Sequence, residues 1–217
     1  MNVLVKICGV TTPEALLACR EGGARMVGFV FYPKSPRFLS SPDRAAALAR
    51  QAAGLQRVGL FVNPQEGELE RVLNAVPLEF LQLHGQESPA RCMELKKRFN
   101  LKIIKAFAVA GEEDFAALPS YADTVDMFLF DAKPPEGGRP GGNARRFDWQ
   151  ILRSRTFPRP WLLAGGLTAE NLSAAVAQCG ADWVDVSSGV EDRPGHKSQA
   201  LIRHFLAIAA GVQPPPA

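Results

Sequence analysis

The chain has 217 residues, of which 47% are hydrophobic and 22% are charged, proportions that are ordinary for a soluble globular protein. The formal net charge of +3 is small and the 25 Lys and Arg residues are spread along the chain, so the sequence lacks the basic stripe of a nucleic-acid-binding protein. No run approaches the ~20 apolar residues of a membrane span, and the start of the chain lacks the apolar stretch of a signal peptide. We therefore expect a cytoplasmic protein with no nucleic-acid or membrane partner.

The cysteines and histidines do not form a metal or redox motif. Cys8, Cys19, Cys92 and Cys179 are too far apart in sequence for a C-x-x-C pair. The chain is too long and too rich in core residues for a disulfide scaffold, so we expect reduced thiols. No H-x-H pair or His/Asp cluster is present, which disfavours a metal-dependent barrel hydrolase.

Eight short apolar runs, each followed by a turn and a helix-like stretch, follow one another along the chain. The runs are continuous rather than alternating, which is typical of strands that are covered on both faces. The predicted strands span residues 3–8, 26–31, 57–62, 79–83, 102–106, 127–131, 161–164 and 183–187.

Proline in the first helical position after a capping residue marks the start of four intervening helices. A later helix follows Thr168, and the last is predicted over residues 198–210. The Gly- and Pro-rich stretch 134–146 is predicted to be a long loop after the sixth strand. Residues 211–217, which include three prolines, are predicted to be a disordered tail. The four helix starts marked by proline are at Thr12-Pro13, Ser41-Pro42, Asn63-Pro64 and Ser88-Pro89.

Regular alternation of strands and helices, with about 27 residues per unit, indicates βα units and a parallel sheet. Eight such units predict a compact single-domain (β/α)8 TIM barrel, an α/β fold, over residues 1–210. A doubly wound open sheet is the alternative. It is less well supported because no G-x-G-x-x-G fingerprint follows the first strand.

In such a barrel the carboxyl ends of all eight strands face one shared pocket. Cys8 ends the first strand, and Asp131 ends an otherwise apolar sixth strand. A Cys8 thiolate could act as a general base, provided that its neighbours lower its pKa. A carboxyl at Asp131, bordering a cavity, suits an acid–base role. The alternatives are a small buried hydrophobe for Cys8 and a helix cap or salt-bridge partner for Asp131.

The loops after the last two predicted strands contain glycine and serine. Gly165 and Gly166 follow the seventh strand, and Ser187, Ser188 and Gly189 follow the eighth. Glycines let backbone N–H groups approach an anion closely, and barrels often bind phosphate at this position. Either loop alone is equally compatible with a plain tight turn, but the two together predict a phosphate site.

Three further polar residues lie in or just after predicted strands. Arg37 lies on a loop stiffened by two prolines, which would present its guanidinium to a carboxylate or phosphate, although a solvated surface arginine is the alternative. His84 ends the fourth strand and could carry a proton or orient a hydrogen bond. Asp185 could reach a sugar hydroxyl or a neighbouring polar group, with a buried structural acceptor as the alternative.

Segments along nearly the whole chain resemble the phosphoribosylanthranilate isomerase family of tryptophan biosynthesis. The most specific are Lys6-Ile7-Cys8-Gly9 near the start and Val184-Asp185-Val186-Ser187-Ser188-Gly189-Val190-Glu191 near the end. The others include Ser35-Pro36-Arg37, Leu81-Gln82-Leu83-His84-Gly85, Leu163-Ala164-Gly165-Gly166-Leu167 and the strand end at Asp131 with Phe147-Asp148-Trp149.

The resemblance implies a (β/α)8 barrel that converts N-(5-phosphoribosyl)anthranilate to 1-(2-carboxyphenylamino)-1-deoxyribulose 5-phosphate. It implies Cys8 as the general base, Asp131 as the general acid and Arg37 as the ligand of the anthranilate carboxylate. His84 and Asp185 are expected to contact the substrate, and the two glycine loops to hold its phosphate. No metal or organic cofactor is implied, and the assembly is expected to be a monomer or a homodimer.

One departure from the family pattern lies near residue 144, where the family more often has a third glycine. Rival functions remain open on the residues alone. Indoleglycerol-phosphate synthase uses lysine and glutamate at strand ends, which Cys8 and Asp131 do not supply. The histidine-pathway isomerase uses two aspartates, and Cys8 occupies the position of the first. A non-catalytic sugar-phosphate sensor would have lost the acid or the base, yet both positions are filled.

Overall fold

The computed structural model describes residues 2–133, 147–153 and 155–215. Eight parallel strands form a closed barrel in the order of the chain, which confirms the predicted (β/α)8 fold. The strands are β1 (Leu4–Cys8), β2 (Met26–Val30), β3 (Gln56–Phe61), β4 (Phe80–Leu83), β5 (Lys102–Val109), β6 (Met127–Ala132), β7 (Trp161–Leu163) and β8 (Trp183–Val186).

The barrel closes between its first and last strands. Lys6 on β1 is opposite Met26 on β2 and opposite Asp185 on β8. Two residues later, Cys8 is opposite Gly28. Because alternate residues of a strand share a face, Lys6 and Cys8 point to the same side of the sheet. This register brings the two ends of the chain together at one side of the barrel.

Helices on the outside of the barrel connect the strands. They are α1 (Pro13–Glu21), α2 (Pro42–Gln51), α3 (Glu66–Leu73), α4 (Pro89–Phe99), α5 (Leu118–Tyr121), α6 (Leu172–Cys179) and α7 (Gln199–Ala209), with 3-10 turns at Glu112–Phe115, Trp149–Leu152 and Ser188–Val190. After β8 the chain also forms a small antiparallel hairpin of β9 (Glu191–Arg193) and β10 (His196–Lys197).

Three of the four predicted helix starts are confirmed. The hydroxyls of Thr12, Ser41 and Ser88 each accept a hydrogen bond from a backbone N–H in the first turn of the helix that follows. Each of these helices has proline at its first position, where the missing N–H costs no hydrogen bond.

The predicted start at Asn63-Pro64 was wrong. Helix α3 begins at Glu66, after Gln65 in the N-cap position, with no side-chain cap. Asn63 instead adopts a left-handed backbone with a φ of 46°, and its Oδ1 accepts a hydrogen bond from the N–H of Gln86, 2.7 Å away. Asparagine tolerates this conformation, so here it shapes the loop rather than capping a helix.

Two apolar clusters hold the barrel together. A large cluster lies between the strands and the helices, and a smaller one fills the interior of the barrel. Large branched and aromatic side chains pack such interiors, so the barrel is a filled core and not a pore. The residues of the inner cluster are Met26, Val58, Phe80, Ile104, Ala106, Met127, Leu129, Leu162 and Ala164.

The main chain still contacts the barrel just beyond residue 210. The N–H of Val3 donates to the carbonyl of Val212 at 2.9 Å, and Val212 packs against the core. The predicted long loop over 134–146 lies outside the described residues, as does the end of the predicted tail beyond 215. Among the helices that the structure does describe, none is long and apolar enough to cross a membrane.

Candidate active site

A cleft opens where the carboxyl ends of the strands converge, as the fold predicts. The space between its walls, including the part open to solvent, is about 420 Å³. Four of the predicted residues with acid–base or charged side chains, Cys8, Arg37, Asp131 and Asp185, line it together with His84. The other residues of the wall are Val30, Tyr32, Ser35, Leu60, Gln82 and Ser187. Residues far apart in sequence thus meet in one cleft.

Cys8 is a buried free thiol at the end of β1. Burial raises the pKa of this thiol above its ordinary value, and the carboxylate of Asp185 adds to the effect. The ammonium groups of Lys6 and Lys197 act in the opposite direction without overcoming burial. The condition set for Cys8 from the sequence, a lowered pKa, is therefore not met in this structure.

Asp131 and His84 face each other from β6 and the end of β4. Nε2 of His84 lies 3.5 Å from Oδ2 of Asp131, slightly longer than an ordinary hydrogen bond. Nδ1 of His84 lies 3.0 Å from Nε2 of Gln82. An amide nitrogen can only donate, so Nδ1 accepts and the ring proton is on Nε2, facing Asp131. The other carboxyl oxygen of Asp131 accepts from the N–H of Ala132 at 2.8 Å.

The loop after β7 packs directly onto Asp131. Gly165 has a φ of 88°, and a Cβ there would lie 2.8 Å from the nitrogen of Ala132 and 3.0 Å from Oδ1 of Asp131. Glycine is required at this position by backbone conformation and by space. Gly166 also has a positive φ, of 63°, and its carbonyl accepts from Nδ2 of Asn171 at 2.9 Å.

The two glycine loops are in contact with each other, as the phosphate-site prediction requires. A Cβ on Gly189 would lie 1.9 Å from the carbonyl oxygen of Leu167, so the backbones of the two loops meet closely. Ser188 and Gly189 belong to the 3-10 turn Ser188–Val190. The hydroxyl of Ser187 does not point to the contact between these loops, because it donates to the carbonyl of Cys8 at 3.0 Å.

Arg37 is buried and paired, not a solvated surface arginine. Its Nε and Nη2 donate to the two carboxyl oxygens of Glu191, each at 2.7 Å. Burial opposes ionisation of Glu191, but Arg37 and Lys197 hold the pKa of its carboxyl below the ordinary value. The stem of Arg37 covers Gly9, whose Cβ would lie 2.6 Å from the Cδ of Arg37. The guanidinium is therefore fixed at the edge of the cleft.

Asp185 is also paired. Its Oδ1 lies 2.8 Å from Nζ of Lys6, which is completely buried. Burial opposes the charge on Lys6, but Asp185 and Cys8 outweigh it and raise the pKa of the ammonium. The sequence prediction left open a substrate contact or a neighbouring polar group for Asp185. The structure shows the neighbouring group, while leaving the side chain on the wall of the cleft.

Sequence reasoning missed four residues that organise this cleft. Lys6 and Gln82 are polar positions within apolar strands, a signal that was present but not interpreted. Glu191 and Lys197 belong to the β9–β10 hairpin, where only the tertiary structure brings them to Arg37 and Ser187. In the part of the chain that the structure describes, no three His, Cys, Asp or Glu side chains form a group that could hold a metal ion.

Comparison with known proteins agrees with this geometry. The sequence profile described as N-(5'-phosphoribosyl)anthranilate (PRA) isomerase matches residues 5–207. The chain belongs to this family. The PRA isomerase of Rhodospirillum centenum is 52% identical over 215 residues, which cover 98% of this chain and 100% of that protein.

Solved PRA isomerases share the fold. The crystal structure of the isomerase from Thermotoga maritima has a TM-score of 0.85 and 39% identity, and the match covers 97% of this chain and 100% of that one. Another PRA isomerase structure, with a TM-score of 0.82 and 37% identity over the same shares of the two chains, contains reduced 1-(o-carboxyphenylamino)-1-deoxyribulose 5-phosphate. PRA isomerases with a related ligand bound thus have the same barrel.

Proposed function

We propose that this chain catalyses the Amadori rearrangement of N-(5-phosphoribosyl)anthranilate to 1-(2-carboxyphenylamino)-1-deoxyribulose 5-phosphate. The observation that carries the proposal is the placement of a thiol on β1 and a carboxyl on β6 in the wall of one cleft. The reaction needs one acid and one base, and it needs no net oxidation because a hydrogen moves within the substrate. The family membership supports the same chemistry.

Asp131 is the proposed general acid. Opening the furanose ring requires a proton on the ring oxygen, and a carboxylic acid at the end of β6 can donate it. The C–O bond breaks as the nitrogen lone pair forms an iminium. His84 Nε2 and the N–H of Ala132 contact opposite oxygens of the carboxyl and fix its orientation. His84 therefore serves the acid by positioning it.

Cys8 is the proposed general base. The iminium acidifies the hydrogen on the neighbouring carbon C2, and the thiolate accepts that proton. The C–H electrons form a carbon–carbon double bond, and the iminium is neutralised to an amine. The resulting enol then becomes the ketone as C1 gains a proton and the hydroxyl on C2 loses one, so the product is an isomer of the substrate. A thiol with a raised pKa is a stronger base once ionised, which suits removal of a carbon-bound proton.

Arg37 in the cleft wall and the two glycine loops beyond it would bind the two anionic ends of the substrate. Arg37 uses one edge of its guanidinium for Glu191, which leaves the edge formed by Nη1 and Nη2 for the anthranilate carboxylate. The loops containing Gly166 and Ser188 would hold the phosphate by backbone N–H groups. Asp185 would contact the sugar. A PRA isomerase structure that contains reduced 1-(o-carboxyphenylamino)-1-deoxyribulose 5-phosphate supports a ligand of this class.

The fluorescence of the anthranilate group tests the proposal directly. Purified protein is mixed with N-(5-phosphoribosyl)anthranilate, and the decay of emission is followed against a sample without protein. We expect catalysed decay and formation of the carboxyphenylamino-deoxyribulose phosphate, identified by mass and chromatography. Binding of substrate without turnover would instead identify a sugar-phosphate sensor and overturn the proposal.

A further inference from the structure

Lys6 is a fully buried charged side chain that the proposed reaction does not use directly. It lies within β1, two residues before Cys8, and its side chain has no exposure to solvent. Removing an ammonium from water is costly, and buried charges therefore need a partner. Asp185 supplies one at 2.8 Å. An apolar pair of similar volume would fill the same space without this cost, so the pair calls for a functional reason.

Gly28 shows where the Lys6 ammonium is directed. This glycine on β2 is opposite Cys8 in the sheet register. A Cβ there would lie 3.0 Å from Sγ of Cys8 and 3.3 Å from Nζ of Lys6. Gly28 is not among the residues with a positive φ, so its backbone does not require glycine. The thiol of Cys8 and the ammonium of Lys6 instead both border the space above Gly28.

We propose that Lys6 is a positioning residue for Cys8: its ammonium, held by Asp185 and given room by Gly28, stabilises the thiolate that acts as the base. This inference rests on the proposed function, because it assumes that Cys8 accepts a proton. Lys6 keeps its own proton throughout. When the thiolate takes the proton from C2 of the substrate, it becomes a neutral thiol, and the charges of Lys6 and Asp185 then balance each other.

The charged groups that act on Cys8 come from three strands. Lys6 on β1 and Lys197 on β10 favour the thiolate, whereas Asp185 on β8 disfavours it. Lys197 is itself engaged by Glu191 and by the carbonyl and hydroxyl of Ser187. Lys6 lowers the pKa of Cys8 more than Lys197 does. Lys6 is therefore the cation whose removal should change the thiol most.

The test is Lys6→Met, which keeps an unbranched side chain of similar volume and removes its charge. The rate of alkylation of Cys8 by iodoacetamide is measured against pH, with tandem mass spectrometry assigning the label to Cys8 rather than to Cys19. Since an opposite charge at close range shifts a pKa by about 1–3 units, we expect the midpoint to rise by about one unit or more. The low-pH side of the kcat/KM profile should move by the same amount.

Lys105→Met is the matched control. Lys105 is buried and paired with Glu87 at 3.0 Å, but it lies among the backbone carbonyls of Leu83, Gly85 and Ala106 rather than at Cys8. This variant should lose thermal stability in the way that any broken buried ion pair does. The alkylation midpoint of Cys8 should not move. A shift as large as that of Lys6→Met would make the effect a general loss of packing and overturn the proposal.

Gly28→Ala tests the same idea with the charge retained. Its methyl group would press on both Sγ of Cys8 and Nζ of Lys6, so the alkylation midpoint should again rise. If Lys6→Met folds and its alkylation midpoint is unchanged, the proposal is overturned. If Lys6→Met does not fold, an unchanged alkylation midpoint in Gly28→Ala overturns it. Failure of the proposed function would be seen separately, as binding of N-(5-phosphoribosyl)anthranilate by the native protein without turnover.

Discussion

Arg37 and Glu191 form a two-point ion pair that joins the loop after β2 to the β9–β10 hairpin. Nε to Oε1 and Nη2 to Oε2 are both 2.7 Å. The same carboxylate accepts hydrogen bonds from Lys197 and from the N–H of Gly195. Glu191 thus fixes the direction in which Arg37 presents its remaining N–H groups. The orientation of Arg37 at the cleft therefore depends on a residue from another part of the chain.

Glu191→Gln should raise KM by about tenfold or more, because an amide cannot hold the guanidinium by two charge-assisted hydrogen bonds. The change in kcat should be smaller, since Arg37 binds a group that does not react. Steady-state kinetics measure both. The melting temperature should also fall, because Arg37 is left buried without its partner.

Glu79→Gln provides the comparison for Glu191→Gln. Glu79 also forms a multipoint pair with an arginine, Arg57, but at the start of β3 and away from the cleft. We expect no change in KM for this variant. Equal KM values for Glu191→Gln and Glu79→Gln would show that Glu191 does not orient Arg37 for the substrate.

Cys8→Ser should retain the fold and lower kcat by roughly 10²-fold or more, since the hydroxyl is a far weaker proton acceptor. In the native enzyme kcat/KM should rise with pH through the alkaline range, because burial raises the pKa of the thiol and the thiolate forms only as that pKa is approached. Cys8→Ser should lose this rise. A variant with near-native kcat would exclude Cys8 as the base.

Asp131→Asn should lower kcat at least as far as Cys8→Ser, because the amide has no proton acidic enough to transfer to the ring oxygen. The amide oxygen can still accept from the N–H of Ala132, so the melting temperature should change little. Thermal melts and turnover assays are made on the same samples. A loss of several kcal/mol in unfolding free energy with native turnover would make Asp131 structural.

Gly166→Ala should weaken the binding of both the substrate and inorganic phosphate, since a side chain would obstruct the approach of the anion to the backbone. Competitive inhibition by inorganic phosphate measures the site without the rest of the substrate. Gly180→Ala is the control, because Gly180 has a similar φ of 75° at the end of α6 with no atom within 4 Å of a Cβ. The control should show the same backbone strain and an unchanged inhibition constant for phosphate.

The free energy of unfolding should fall as the pH rises above about 8.5, the ordinary pKa of a thiol. Burial raises the pKa of Cys19 to about 12 and those of Cys92 and Cys179 to about 11. Between about pH 8.5 and 11 the unfolded chain releases these protons while the folded protein keeps them, so ionisation favours unfolding. Urea titrations at several pH values measure the slope. A variant with all three cysteines replaced by alanine should have a shallower one.

The apolar runs and their caps were sufficient to predict the barrel. Strands buried on both faces read as continuous apolar segments, and Thr12, Ser41 and Ser88 mark helix starts through contacts within one turn. Both signals depend only on residues that are close in sequence, so they can be recognised before the fold is known. Once eight strands were assigned, barrel geometry alone predicted that Cys8 and Asp131 would share a cleft. The helix start predicted at Asn63 was wrong because the Asn63 side chain accepts a hydrogen bond from Gln86 in the next loop.

The partners of the polar residues were decided only by the tertiary structure. Arg37 and Glu191 are 154 positions apart in sequence, and Lys6 and Asp185 are 179 apart. No local pattern encodes which carboxylate a buried cation meets, since that depends on closure of the barrel between β1 and β8 and on the path of the hairpin that follows. The sequence by itself determined the barrel and the positions of its acid and base. Burial and these long-range ion pairs, which exist only in the closed fold, determined the pKa of Cys8 and the orientation of Arg37.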